Sequence, residues 1–243
     1  MTRAEELIAR ARALMPAAAY RTGDYDAVEA PLAVARRLAE AEGDLRSQAA
    51  ALDQLGVLLH LRTLDRPRDE WRAIDFRPEQ ELFEQALALR RRVGDEAGVA
   101  ESLLHLGWVH QVLHDDSDAA MPLFREALAL AEPDGDAQVR SELHRHIGFH
   151  VALHDERPDA ALPHFRTSLE LRRSGGDPAQ VVHGLVAVAR CEALAGRHED
   201  AFAHSREALE LARRGEFRAR VISAAEEACR AVDEAASARR PGL

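Results

Sequence analysis

SLLHLGWVHQVL (residues 102–113), HDDSD (114–118), AAMPLFREALALA (119–131) and EPDGD (132–136) run consecutively along the chain. The first and third stretches carry apolar residues at helical spacing, and the second is too polar to be buried. In the fourth, a glycine can stop one helix and the aspartate after it can cap the next. The segment therefore reads as two helices joined by a short turn. Such a pair cannot bury its apolar stripe alone, whereas stacked pairs bury a continuous core.

Working outward, the unit recurs. Gly94-Asp95, Gly135-Asp136 and Gly176-Asp177 are each 41 residues apart, as are Phe83, Phe124 and Phe165. Leu87, Leu128 and Leu169 keep the same step, and Leu209 follows after 40. Gly107 and Gly148 continue to Ala189, while Gly56 lies 51 residues before Gly107. One unit thus holds about ten extra residues, between Gly56 and Phe83. A fixed period of this size marks a repeat architecture. The spacing predicts repeats over 3–44, 45–95 (with an insertion near 62–78), 96–136, 137–177 and 178–215, then a capping helix over 217–239, all in a single domain 1–243. Strand signals are absent, so the expected class is all-α.

The pattern resembles a tetratricopeptide repeat in its longer form, as in kinesin light chains and sensor regions of bacterial regulators. Gly56, Gly107, Gly148 and Ala189 match the family's small residue midway along the first helix. Ala120, Ala161 and Ala201 match the one where the second helix begins. Ala35, Ala86, Ala127, Ser168 and Ala208 match the one further along. Small residues at these places let two backbones approach closely. The resemblance covers roughly residues 20–215 and implies a right-handed α-solenoid of stacked antiparallel helix pairs. The N-terminal unit is degenerate: Pro16 takes the small-residue position, where a proline would end or kink the first helix.

Composition narrows the function. The 243 residues carry a formal charge of −10, and all 32 basic residues are arginine. Codon bias in a GC-rich, bacterial genome accounts for the missing lysine. A net acidic chain repels phosphate, so nucleic acid is not an expected partner. No apolar run approaches ~18 residues, so no membrane partner is expected. Cys191 and Cys229 show no metal spacing and suit a reducing cytoplasm. The N-terminus is amphipathic and charged, unlike a signal peptide.

The resemblance implies a concave face lined by first helices, whose groove positions fall 6 and 3 residues before the small residue and 1 and 4 after it. Those offsets form one helical stripe. Here they include Asp53, His60, Glu101, Trp108, Gln111, Glu142, Arg145, Phe149 and Arg190. Aromatic anchors among charged orienting groups suit a partner-binding groove. The competing reading is that Trp108 and Phe149 pack on neighbouring side chains. The insertion adds Arg66, Arg68, Trp71 and Arg72, either a functional loop or a tether whose tryptophan plugs a gap.

Twelve histidines include His110 and His114, and His146, His150 and His154, at spacings that can place two ligands on one helix face. No HExxH, GxSxG, P-loop or GxGxxG accompanies them. The expectation is no catalytic residue, no metal and no cofactor. The function expected is a non-enzymatic module binding a protein or peptide segment. An effector- or peptide-sensing regulator and an enzyme using His60, Asp53 or the histidine-rich first helices are the alternatives. Oligomeric state is not readable.

Overall fold

The computed structural model describes residues 1–132 and 135–238. Residues 133–134, inside the third expected repeat, and residue 239, the last of the expected cap, lie outside it. The chain is all-α, with no strand among the described residues.

The first compact unit holds α1 (Arg3–Ala17), α2 (Asp26–Glu42), α3 (Leu45–Leu64), α4 (Arg77–Arg92), α5 (Glu96–Trp108) and α6 (Ser117–Ala131). They pack as pairs α1/α2, α3/α4 and α5/α6, with α2 also packed on α3 and α4 on α5. The second unit holds α7 (Ala137–Phe149), α8 (Pro158–Gly175), α9 (Pro178–Leu194), α10 (His198–Arg214) and α11 (Ala219–Ala238). It stacks α7/α8 on α9/α10, and α11 packs on α9 and α10. α11 turns Val221, Ala225, Ala228 and Val232 inward, all buried and at helical spacing, as a terminal cap requires.

The Gly-Asp elements separate the pairs as their chemistry dictates. Gly94 adopts φ 64°, a left-handed conformation that ends α4. Asp95 then accepts from the Gly98 N–H at 3.2 Å and caps α5. Asp44, Asp136 and Asp177 cap α3, α7 and α9 in the same way.

Within a pair, contact is set by a glycine facing a phenylalanine. A Cβ built on Gly56 would overlap the Phe83 ring, and one on Gly107 the Phe124 ring; on Gly148 it would meet Phe165 at 3.0 Å. Each ring is essentially without solvent exposure. Burying a phenylalanine fully contributes about 1.5–3 kcal/mol. The last pair has Ala189 where these three have glycine, and Ser205 where they have phenylalanine. Both are buried, so a larger residue on one helix accompanies a smaller one on the other.

Three first helices end in a π-helical turn: Ala18–Thr22, Val109–Leu113 and His150–His154. His114 N–H donates to Val109 O at 3.0 Å and Asp155 N–H to His150 O at 3.1 Å, each reaching back five residues instead of four. α9 ends without such a turn: Ala195 N–H donates to Cys191 O, four residues back. A π turn accommodates one extra residue in a helix. This explains a spacing difference within the repeat. Gly107 to Leu128 and Gly148 to Leu169 are 21 residues, whereas Ala189 to Leu209 is 20. Pro16 does not end α1; the π turn follows it, as it follows Gly107 and Gly148. The cause therefore lies in the repeat geometry and not in the proline.

Candidate partner-binding site

In the first unit the stripe residues are drawn into a polar layer. Asp53, on α3, is wholly buried. Arg90, from the last turn of α4, donates to it at 2.5 Å, and His105 Nδ1 lies 3.1 Å from its other oxygen. Burial alone would raise the Asp53 pKa; His105 and Arg90 outweigh it and hold the carboxyl below its ordinary value. Arg90 also donates to Gly98 O at 2.6 Å, Ser102 Oγ at 2.8 Å and Glu101 Oε2 at 2.7 Å. Arg12, on α1, reaches Glu101 at 3.0 Å, and Gln54 Nε2 reaches it at 3.4 Å.

Trp108 is half-buried. It stacks on His60 with ring centroids 5.2 Å apart, and His105 lies 4.6 Å away. His60 is itself buried, its Nδ1 2.8 Å from Glu79 Oε1. The tryptophan is thus flanked by two rings, each fixed by a buried acid. Gln111, half-buried in the π turn, donates to Ser117 Oγ at 3.3 Å.

The second unit repeats the device with other residues. Arg172, from α8, is buried and bonds Glu142; it also donates to Gln180 O at 3.1 Å. Arg145 Nε donates to Glu142 Oε2 at 3.1 Å. Burial opposes ionisation of Glu142, but Arg172, Arg145 and His146 pull its pKa well below the carboxylate range. Phe149 is half-buried, edge-on to Phe165 at 5.1 Å, with the Arg145 guanidinium 5.3 Å from its ring centroid. Arg190 is exposed and pairs with Glu227 of α11 at 3.4 Å.

Arg90 and Arg172 were not among the expected site residues, yet each organises its layer. They stand 82 residues apart, two repeats, and the matching positions in the other repeats are Ala39, Ala131 and Ala212. That alternation was the available signal.

The insertion lies against the first unit. Trp71 is buried and donates from Nε1 to Arg66 O at 3.2 Å. Arg68 covers its ring at 4.2 Å and donates to Val112 O at 3.3 Å. Phe76 meets Trp71 at 6.5 Å and His114 at 5.8 Å. Arg66, Arg68 and Arg72 are exposed.

Stacked helix pairs with a Gly-Phe contact at fixed period define a helical-repeat protein, and the chain belongs to the tetratricopeptide repeat family, whose sequence model matches residues 80–132 and 141–214. Among solved structures, BtubC (BKLC) from P. vanneervenii is similar, with a TM-score of 0.54 over 86% of this chain and 87% of that one, at 18% identity. That likeness shows the fold. Comparison with curated protein sequences gave no match. Repeats of this family generally mediate protein–protein interaction. No described helix is long and apolar enough to cross a membrane.

Proposed function

We propose that the chain is a non-enzymatic protein-binding module that takes a partner segment on its first-helix faces and recognises it by apolar contact rather than by charge. The observation that carries this reading is the state of the stripe. Asp53, Glu101, Glu142 and Arg145 already bond other groups of the chain. Trp108 and Phe149 are held in fixed orientations yet retain exposed surface. Pre-oriented aromatics with charges neutralised beneath them suit a neutral, apolar anchor. The acid–histidine pairs favour a scaffold over an enzyme. His60 and Glu79 are 4% and 3% exposed and bond each other at 2.8 Å, which suits a structural pair holding the ring under Trp108.

The test is capture of partners from a native lysate by wild type, Trp108→Ala and Phe149→Ala, followed by affinity measurement on the captured protein at low and high salt. An anchor should cost ~2 kcal/mol or more, roughly thirtyfold in affinity. Salt should alter binding by no more than a few fold. Chemical denaturation of the same variants separates binding from folding. Lost stability of ~3–5 kcal/mol with unaltered affinity would assign the tryptophan to the core and sink the reading.

A further inference from the structure

The first helices end at one rim of each stack, and after the first repeat, which has Arg21 there, an apolar residue stands at a constant register. It is five residues past the small position: Leu61, Val112, Leu153 and Leu194. In the first unit this row is covered. Leu61 packs on the core, and the insertion seats itself at Val112, where Arg68 bonds the Val112 carbonyl and Phe76 lies against His114. In the second unit the row is bare: Leu153 is 62% exposed and Leu194 51%.

The two leucines belong to one surface. Arg197 donates to Asp159 at 2.8 Å and the Cys191 thiol to Pro158 O at 3.2 Å, joining the start of α8, just after Leu153, to the end of α9 and the turn that follows Leu194. The Asp159–Arg197 pair neutralises itself. Around it Asp155, Glu156, Glu199 and Asp200 are exposed and outnumber Arg157. Both leucines also end helical segments, where the last carbonyls lack intrahelical donors and the helix dipole is negative. An apolar ridge beside acids, at the negative ends of two helices, calls for an apolar side chain accompanied by guanidinium groups.

We infer that this rim of the second unit is a docking surface, separate from the concave faces, for a short arginine-bearing partner segment with an aromatic or aliphatic anchor. The insertion is the chain's own example of such an occupant. It supplies the repeat-three rim with an arginine on a helix-end carbonyl and an aromatic beside it, at the place where the second unit offers Leu153. The concave face has its charges consumed internally, so the two surfaces differ in salt response: the rim binds through its excess of exposed acids and weakens as salt rises.

The test uses the full chain and a fluorescently labelled, end-blocked octapeptide with a central tryptophan–leucine pair flanked by arginines. Anisotropy titrations compare wild type with Leu153→Ser/Leu194→Ser, which leaves the net charge unchanged, and with Glu156→Gln/Glu199→Gln, which leaves the ridge intact. Thermal melts confirm folding of both. The leucine variant should bind at least tenfold more weakly at every salt concentration. The acid variant should bind severalfold more weakly at low salt and match wild type at high salt. Replacing the peptide's tryptophan and leucine by alanine should reproduce the loss. Equal binding by the leucine variant would mean attraction between opposite charges only, and would overturn the proposal. So would dimerisation of wild type, abolished by the leucine changes and undisturbed by the peptide, since the occupant would then be a second copy of the chain.

Discussion

Arg90 and Asp53 are joined by a 2.5 Å hydrogen bond in which both side chains are shut away from solvent, 3% and 0% exposed. Each ion would be costly alone, and the pair is tolerated because Gly98 O, Ser102, Glu101 and His105 occupy the remaining donors and acceptors. Arg90→Met should destabilise the protein by ~3–5 kcal/mol, because it leaves the Asp53 carboxylate buried with only His105 and the Ser102 hydroxyl beside it. Asp53→Leu/Arg90→Met should recover most of that loss. Urea denaturation of the three proteins checks both statements; equal losses in the single and double variants would show that the pair is not coupled.

The glycine–phenylalanine contact makes a steric forecast. Gly107→Ala places a methyl group into the Phe124 ring, and overpacking of this kind costs ~1–3 kcal/mol. Phe124→Ala leaves a cavity in wild type and costs ~3–5 kcal/mol. Together the two changes should cost less than their sum, since each relieves the other, as the Ala189 and Ser205 substitutions do in the last repeat. A double-mutant cycle measured by thermal denaturation decides it, and strict additivity would place the two residues out of contact.

Two histidines of the second unit give opposite pH responses. Burial, together with Arg172, Arg145 and Arg220, pushes the His183 pKa down to about 3. The unfolded chain takes up a proton there below pH ~6.5 while the folded chain does not, so stability falls on acidification. From pH 7 to 5 the loss is about 2 kcal/mol, and His183→Gln should remove it from the acid limb of a stability profile.

His204 behaves the other way. Its hydrogen bond to Glu192, 2.7 Å long, raises the histidine pKa and, with Arg166, holds the buried carboxyl low. The histidine's contribution is complete below its unfolded pKa and disappears as pH rises through the folded one; the carboxylate's disappears as pH falls below its unfolded value. The stability gap between wild type and His204→Gln should therefore be widest near pH 5–6 and narrow as pH rises through the raised pKa of the histidine. A gap that widens with pH would reverse the assignment.

Burial beside Glu192 and Asp159 raises the Cys191 thiol to about 12, and its sulfur donates to Pro158 O. Thiolate being the reactive form, Cys191 should resist a small alkylating agent at pH 8 in the native protein and react only in denaturant. Mass spectrometry of the labelled peptides reads this directly. Native labelling of Cys191 at the rate of a free thiol would contradict the enclosed position.

The repeat, its period, the helix pairs and the capping aspartates were legible in the residues themselves, because each rests on a local rule: apolar spacing of 3.6, a left-handed glycine, a side-chain oxygen over the first turn. Even the π turns left a trace, in the one residue by which two repeats exceed the last. Tertiary structure alone decided where the stripe residues stand. A helical wheel places Asp53, Glu101 and Glu142 on the first-helix face, but it cannot say that Arg90 and Arg172 cross from the second helices to meet them. Those bonds join residues 37, 11 and 30 positions apart. Nor does periodicity say that Trp71 folds back on the carbonyl of Arg66 while the equally apolar Leu153 and Leu194 remain in solvent. Whether a side chain is covered depends on what the rest of the chain brings to it, and that is a property of packing, not of spacing.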